Sequence, residues 1–162
     1  MKALAVAALI GAPAAAQDLA IDAHRIDRCL GAYADTPMFC VGREAQDCID
    51  RNGAGADMIV GACFQAEAAF WDGFLNRQYR DVLSLAKARE AGDEGYAPDN
   101  LTTAVRDMQR GWIAYRDATC DHALALARPF GSAAGPAVGK CLMEQTARQV
   151  FVLTDLAQEY RR

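Results

Sequence analysis

Residues 57–91 read DMIVGACFQAEAAFWDGFLNRQYRDVLSLAKAREA, a stretch without proline. Large and apolar side chains recur in it at steps of three and four. Cys63, Phe70, Phe74 and Gln78 trace one line, and Trp71, Leu75, Tyr79, Val82 and Ala86 trace the line beside it. That spacing sets each line on one face of a long helix. Gly92-Asp93-Glu94-Gly95 closes it, and Pro98-Asp99-Asn100 opens a second helix with a capping residue just ahead of Leu101. The second stripe is Leu101, Val105, Met108, Trp112, Tyr115, Thr119 and Leu126. Two long helices with a short connection make an αα-hairpin. With its turn near Glu94, antiparallel pairing places Asp72 opposite Arg116, Leu75 opposite Trp112 and Tyr115, Tyr79 opposite Gln109, and Cys63 level with Cys120.

Upstream, Asp18 to Ala34 reads as a helix ended before Pro37, and Met38 to Arg51 as another ended by Asn52-Gly53. Downstream, Pro129 and the glycines from Gly131 to Gly139 read as a loop. A last helix carries Val138, Leu142, Gln145, Gln149, Val152, Leu156 and Tyr160 near one face. No alternating strand pattern and no internal repeat rises above this background. The expected fold is all-α: a small disulfide-bonded helical bundle built around a long antiparallel αα-hairpin.

The N-terminus has the layout of a secretory signal. Lys2 is followed by an uncharged apolar run, Ala3 to Ala12, and by Ala14-Ala15-Ala16 as an A-x-A cleavage site. The run is shorter than the roughly 20 apolar residues that cross a bilayer, and no later segment is long or apolar enough either, so no membrane span is expected. The first cysteine is Cys29, so no lipid-accepting cysteine follows the cleavage site. Arginine far outnumbers lysine and alanine abounds, which fits a GC-rich bacterial genome. The expected organisation is a signal peptide at 1–16, an N-terminal helical extension at 17–47 and a helical domain at 48–162. The expected location is a soluble form in the periplasm.

The 162 residues carry net charge −4, and loss of Lys2 with the leader makes it −5. That mild acidity, with no basic stripe to neutralise phosphates, argues against nucleic acid as a partner. All six cysteines, Cys29, Cys40, Cys48, Cys63, Cys120 and Cys141, lie beyond the leader. An even count in an exported chain reads as three disulfides. The absence of C-x-x-C and the presence of only His24 and His122 speak against zinc or haem, so neither metal nor cofactor is expected. No catalytic set stands out either. Glu67 and Asp72, five apart, point away from each other on a helix, and neither Ser84 nor Ser132 lies in G-x-S-x-G. The chain therefore reads as a non-enzyme.

Two blocks carry a resemblance. The first is Cys63-x3-Glu67-x3-Trp71-Asp72-x2-Leu75-Asn76-x2-Tyr79-x3-Leu83. The second is Gln109-Arg110-x-Trp112-Ile113-x-Tyr115-Arg116-Asp117-Ala118-x-Cys120, followed by a glycine-rich loop and Cys141-Leu142-x3-Thr146. In this order, over about Cys48 to Leu153, the chain resembles the LprI-like lysozyme inhibitor family of small exported bacterial domains. The resemblance implies a helical, disulfide-bonded envelope protein without cofactor whose partner is a lysozyme or another envelope protein. Two departures stand out: the anchoring cysteine of the family's lipoprotein is missing, and Gln149 occupies the place where the family often has arginine, with Arg148 one position early.

On their own chemistry, Trp71, Tyr79, Trp112 and Tyr115 read first as core, with a role as exposed partner anchors as the alternative. Asp72 with Arg116 reads as a structural pair, and Asn76 as a hydrogen-bonding structural residue. An inhibitor can block a lysozyme by aiming a cation or donor at its catalytic carboxylates, and the loop from Pro129 to Lys140, with Lys140 as its cation, is the candidate element. Solvation of Lys140 in an ordinary turn is the bland alternative.

The disulfide map follows. Cys120 with Cys141 turns the chain back across the glycine-rich loop. Cys48 with Cys63 ties the second helix to the long one and matches the cysteine pair that precedes the Trp-Asp block in the family it resembles. Cys29 with Cys40 is then left. The rival map, Cys40 with Cys48 and Cys29 with Cys63, stays open only if the second helix breaks between Gly42 and Gln46, because eight helical residues span about 12 Å and a bridge needs Cα atoms within about 7 Å.

The leader yields the first prediction. Mass spectrometry of the exported protein should find Gln17 at its N-terminus; a soluble product that keeps Met1 would contradict the signal-peptide reading.

Overall fold

The computed structural model describes residues 19–53, 55–92, 95, 97 and 99–162. The leader 1–16, the expected new terminus at Gln17 and the helix start at Asp18 lie outside the described residues, as do Asp93, Glu94 and Pro98 of the expected connection. Among the described residues the structure is all helical. The helices are α1 (Ala23–Ala32), α2 (Arg43–Arg51), α3 (Asp57–Gly92), α4 (Asn100–Ala127) and α5 (Ala134–Tyr160), with 3-10 turns at Pro37–Cys40 and Arg128–Ala133. No described helix is long and apolar enough to cross a membrane.

The hairpin is present, but its main partner was not foreseen. α3, α4 and α5 run up, down and up, so α3 and α5 are parallel. Gly139 packs on Gly61, the Phe151 ring meets Trp71 edge-on at 5.7 Å, and Arg161 pairs with Asp81, a constant offset along both helices. α5 lies along most of α3, and α4 covers less of either. The core is accordingly Trp71, Leu75, Val82 and Ala86 of α3 against Met143, Ala147, Val150, Leu153 and Ala157 of α5, with Val105 from α4 and Ile26 and Ala45 from the N-terminal segment.

The expected glycine-rich loop is mostly helix. Pro136 falls in the first turn of α5, where a missing N–H costs nothing. The nearby glycines serve close approach. A Cβ on Gly61 would stand 3.2 Å from the backbone of Gly135 and Pro136, and one on Gly139 would stand 3.1 Å from the Gly61 carbonyl oxygen and Phe64 Cβ. The buried stripe of α5 is also shifted from the expected one: Gly139, Met143, Ala147, Val150, Leu153 and Ala157 face inward, and Val152 is exposed. Small residues mark the inward face because backbones meet there, whereas a reading by size follows the larger side chains outside it.

The expected second helix is broken. Pro37–Cys40 is a 3-10 turn, and Gly42, at φ 87°, precedes α2. The left-handed region favours glycine, which sets the break at this residue. A buried carboxylate holds the far side of the break. Glu67 of α3, 0% exposed, accepts the N–H of Gly42 at 2.7 Å, that of Ala45 at 2.7 Å and the indole N–H of Trp71 at 2.9 Å. Two otherwise orphaned donors at the start of α2 are thus satisfied by a side chain from another helix. Glu44 repeats the device: it is buried, accepts the Asp22 N–H at 3.2 Å and pairs with Arg25 at 3.0 Å. Asp22 in turn caps the shorter-than-expected α1.

All six cysteines are paired. Cys29–Cys40, Cys48–Cys63 and Cys120–Cys141 have Cα separations of 5.8, 5.7 and 5.5 Å. The second helix breaks at Val41–Gly42, ahead of the stretch where the rival map needed it, and the chain reverses through Pro37 and brings Cys40 back to Cys29.

The aromatic expectations divide. Trp71 and Leu75 are fully buried, Trp112 is half-buried, and Tyr115 is 61% exposed. Because α5 occupies the groove beside α3, α4 turns only part of its stripe inward. Trp71→Ala should therefore cost about 3–5 kcal/mol in chemical denaturation, and Tyr115→Ala less than about 1 kcal/mol. Equal losses would contradict this division of the stripe.

Candidate functional site

The resemblance blocks split into an anchored half and an exposed half. Leu75 is core, Tyr79 is half-buried against it, and Asn76 donates to Asp72 at 3.0 Å on the surface. The expected Asp72–Arg116 pair does not form. Arg116 instead donates to Asp117 through Nε at 2.9 Å and Nη2 at 2.7 Å, and its guanidinium lies 5.0 Å from the Trp112 ring centroid. Gln109 does not face Tyr79 in a pair. It is buried on the α4–α5 seam, where its Oε1 accepts from Gln149 Nε2 at 3.1 Å. The residue in the place of the family's frequent arginine is thus a buried neutral partner, 6% exposed, while the adjacent Arg148 is exposed.

The segment between Cys120 and Cys141 gives a different tip from the one expected. Lys140 stands on α5, not on a loop, and its amine is 3.9 Å from Glu144 one turn on. The point where the chain leaves helical geometry is Gly131, at φ 66°. Just before it, Phe130 is 75% exposed, and Arg128 is exposed as well. The turn is held at both sides: Ser132 Oγ donates to Asp57 Oδ2 at 2.5 Å, and the Cys120–Cys141 bridge closes its base. Met58 at the start of α3, 78% exposed, and Leu126 at the end of α4 add apolar surface at the same end of the bundle. Sequence reasoning passed over Arg128 and Phe130, although an aromatic residue between Pro129 and Gly131 is a signal of a presented side chain.

Ser132 Oγ is bonded to the Asp57 carboxylate, and among the described residues no group of His, Cys, Asp and Glu is placed to hold a metal ion. The arrangement offers one cation, one aromatic ring and a pinned backbone, which suits contact with another molecule.

The family model for the lysozyme inhibitor LprI matches residues 48–153, from the middle of α2 to the last third of α5. The chain belongs to the LprI family. An uncharacterized protein of Rhizobium meliloti (strain 1021) is 33% identical over 107 residues, covering 65% of this chain and 76% of that one. No solved structure matches. The LprI match contains both resemblance blocks, two of the three disulfides and the whole tip. Its lower bound falls within α2, whose N-terminal donors Glu67 satisfies, so the N-terminal segment is bonded into the LprI region.

Gln149 offers a direct test of the seam. Gln149→Ala strips the buried Gln109 amide of its partner and should cost about 1–3 kcal/mol. A change near zero by thermal denaturation would show that the Gln109–Gln149 bond does not hold α4 to α5.

Proposed function

We propose that this protein is an exported, non-catalytic lysozyme-binding protein of the bacterial envelope. The LprI match over residues 48–153 carries the reading. Three disulfides support an oxidising compartment outside the cytoplasm. A periplasmic form fits the signal layout read at residues 1–16.

The bundle end supplies a mode of action. A lysozyme cleft holds an acid and an ionised carboxylate. Arg128 provides a guanidinium for such groups, and Phe130 beside it an apolar ring for the cleft wall. The disulfide and the Ser132–Asp57 bond hold the tip before contact, which lowers the ordering cost of binding. Lys140, paired with Glu144 one helical turn away, serves at the margin rather than at the point of contact.

The alternative is a non-inhibitory envelope interaction module. Exposed Tyr115, with Arg116 lying over half-buried Trp112, favours it: these residue types dominate interface hot spots, and here they lie on the side of α4 rather than at the tip.

Lysis of cell walls by a panel of lysozymes, with and without excess mature protein, tests the proposal. Inhibition of at least one lysozyme is expected. Arg128→Ala with Phe130→Ala should weaken it by about 30-fold or more, as for an interface centre, and Lys140→Ala by about threefold or less. No inhibition at high excess would sink the inhibitor reading. Inhibition lost in Tyr115→Ala but kept in the tip variant would move the contact to α4.

A further inference from the structure

The N-terminal segment does more than extend the domain. Where α1 and the Pro37–Cys40 turn lie over α3 and α5, they leave a groove of about 420 Å³, within the size range of small-molecule sites. Its apolar wall includes Leu30, Pro37, Phe74 and Phe151, and its charged lining is Asp35 and Asp155. The aromatic wall is set in place from behind. Phe74 stacks on Trp71 at 6.2 Å, Phe151 meets the same indole edge-on, and Trp71 is itself tied to Glu67. The Cys29–Cys40 bridge holds the opposite wall.

The two carboxylates are the decisive feature. Both aspartates are exposed, and among the described residues neither enters an ion pair or a side-chain hydrogen bond. Arg77 lies over the Phe74 ring at 5.2 Å from outside the groove lining, so Phe151 is the ring left to meet a cation, and the lining itself carries only negative charge. Aromatic faces and carboxylates attract the same ligand chemistry: a weakly hydrated cation that also buries apolar surface. An anion is repelled here, and a neutral apolar molecule gains nothing from the aspartates.

We propose that this groove binds a small organic cation, an ammonium head on an apolar or aromatic body. Leu30 and Pro37 precede the LprI match and Asp155 follows it, so the site belongs to this chain's additions to the shared domain. It is also separate from the tip. Phe151 lies seventeen positions beyond Ala134, about 25 Å along α5. The site therefore stands or falls independently of lysozyme binding.

Calorimetric titration of the full disulfide-bonded protein with benzyltrimethylammonium, benzyl alcohol and benzenesulfonate tests it, with amide NMR shifts to locate the contact. The cation should bind saturably and perturb Thr154 and Gln158 of the groove wall. Asp35→Asn with Asp155→Asn, both at exposed positions, should weaken the cation about tenfold and leave benzyl alcohol unchanged. Benzenesulfonate should not bind. Absence of saturable cation binding, equal affinity for benzyl alcohol, shifts elsewhere on the surface, or cation binding undiminished in the double variant would each overturn the proposal.

Discussion

The carboxylate of Glu67 is the point on which the two parts of the chain meet. It sits in the interior of α3, and it satisfies backbone donors of Gly42 and Ala45 as well as the indole of Trp71. A buried charge without such donors would be costly, and the start of α2 without an acceptor would leave orphaned N–H groups. Each solves the other's problem. Trp71, once held, gives Phe74 and Phe151 a fixed surface to pack on. The break at Gly42, the entry of α2 and the aromatic centre of the bundle thus share one anchor, and the Cys48–Cys63 bridge fastens the same two helices nearby.

The second constraint is backbone proximity. α3 and α5 run parallel with Gly61 and Gly139 in contact, so the glycine-rich segment is a helix-packing element and not a free loop. That has a functional consequence. With Lys140 locked into helix, the presented part of the Cys120–Cys141 segment shrinks to the turn around Arg128 and Phe130. A short turn closed by a disulfide and a serine–aspartate bond suits a protein that recognises a rigid target.

Charge differs between the two flanks of α5. On the α4 side the seam is neutral, closed by Gln109 and Gln149. On the other side Asp35 of the N-terminal segment and Asp155 of α5 lie beside the half-buried rings of Phe74 and Phe151. The groove thus joins residues inside the LprI match with residues before and after it.

An even cysteine count pointed to three disulfides, whose favoured pairing leaned on the LprI resemblance with a rival map left open. The sequence alone determined the helical class and the two long helices, because helical periodicity is a local property. It placed Trp71 and Leu75 correctly in the core for the same reason. It misplaced Tyr115, the Asp72–Arg116 pair, the inward face of α5 and the loop at Lys140. Each of those depended on which helix covers which. Periodicity says that a stripe exists, but a third helix packing through glycine and alanine decides how much of the stripe is covered. Glu67 shows the limit most plainly: its place in the motif was legible, but its two backbone donors lie more than twenty residues away and reach it only once the chain has folded back on itself.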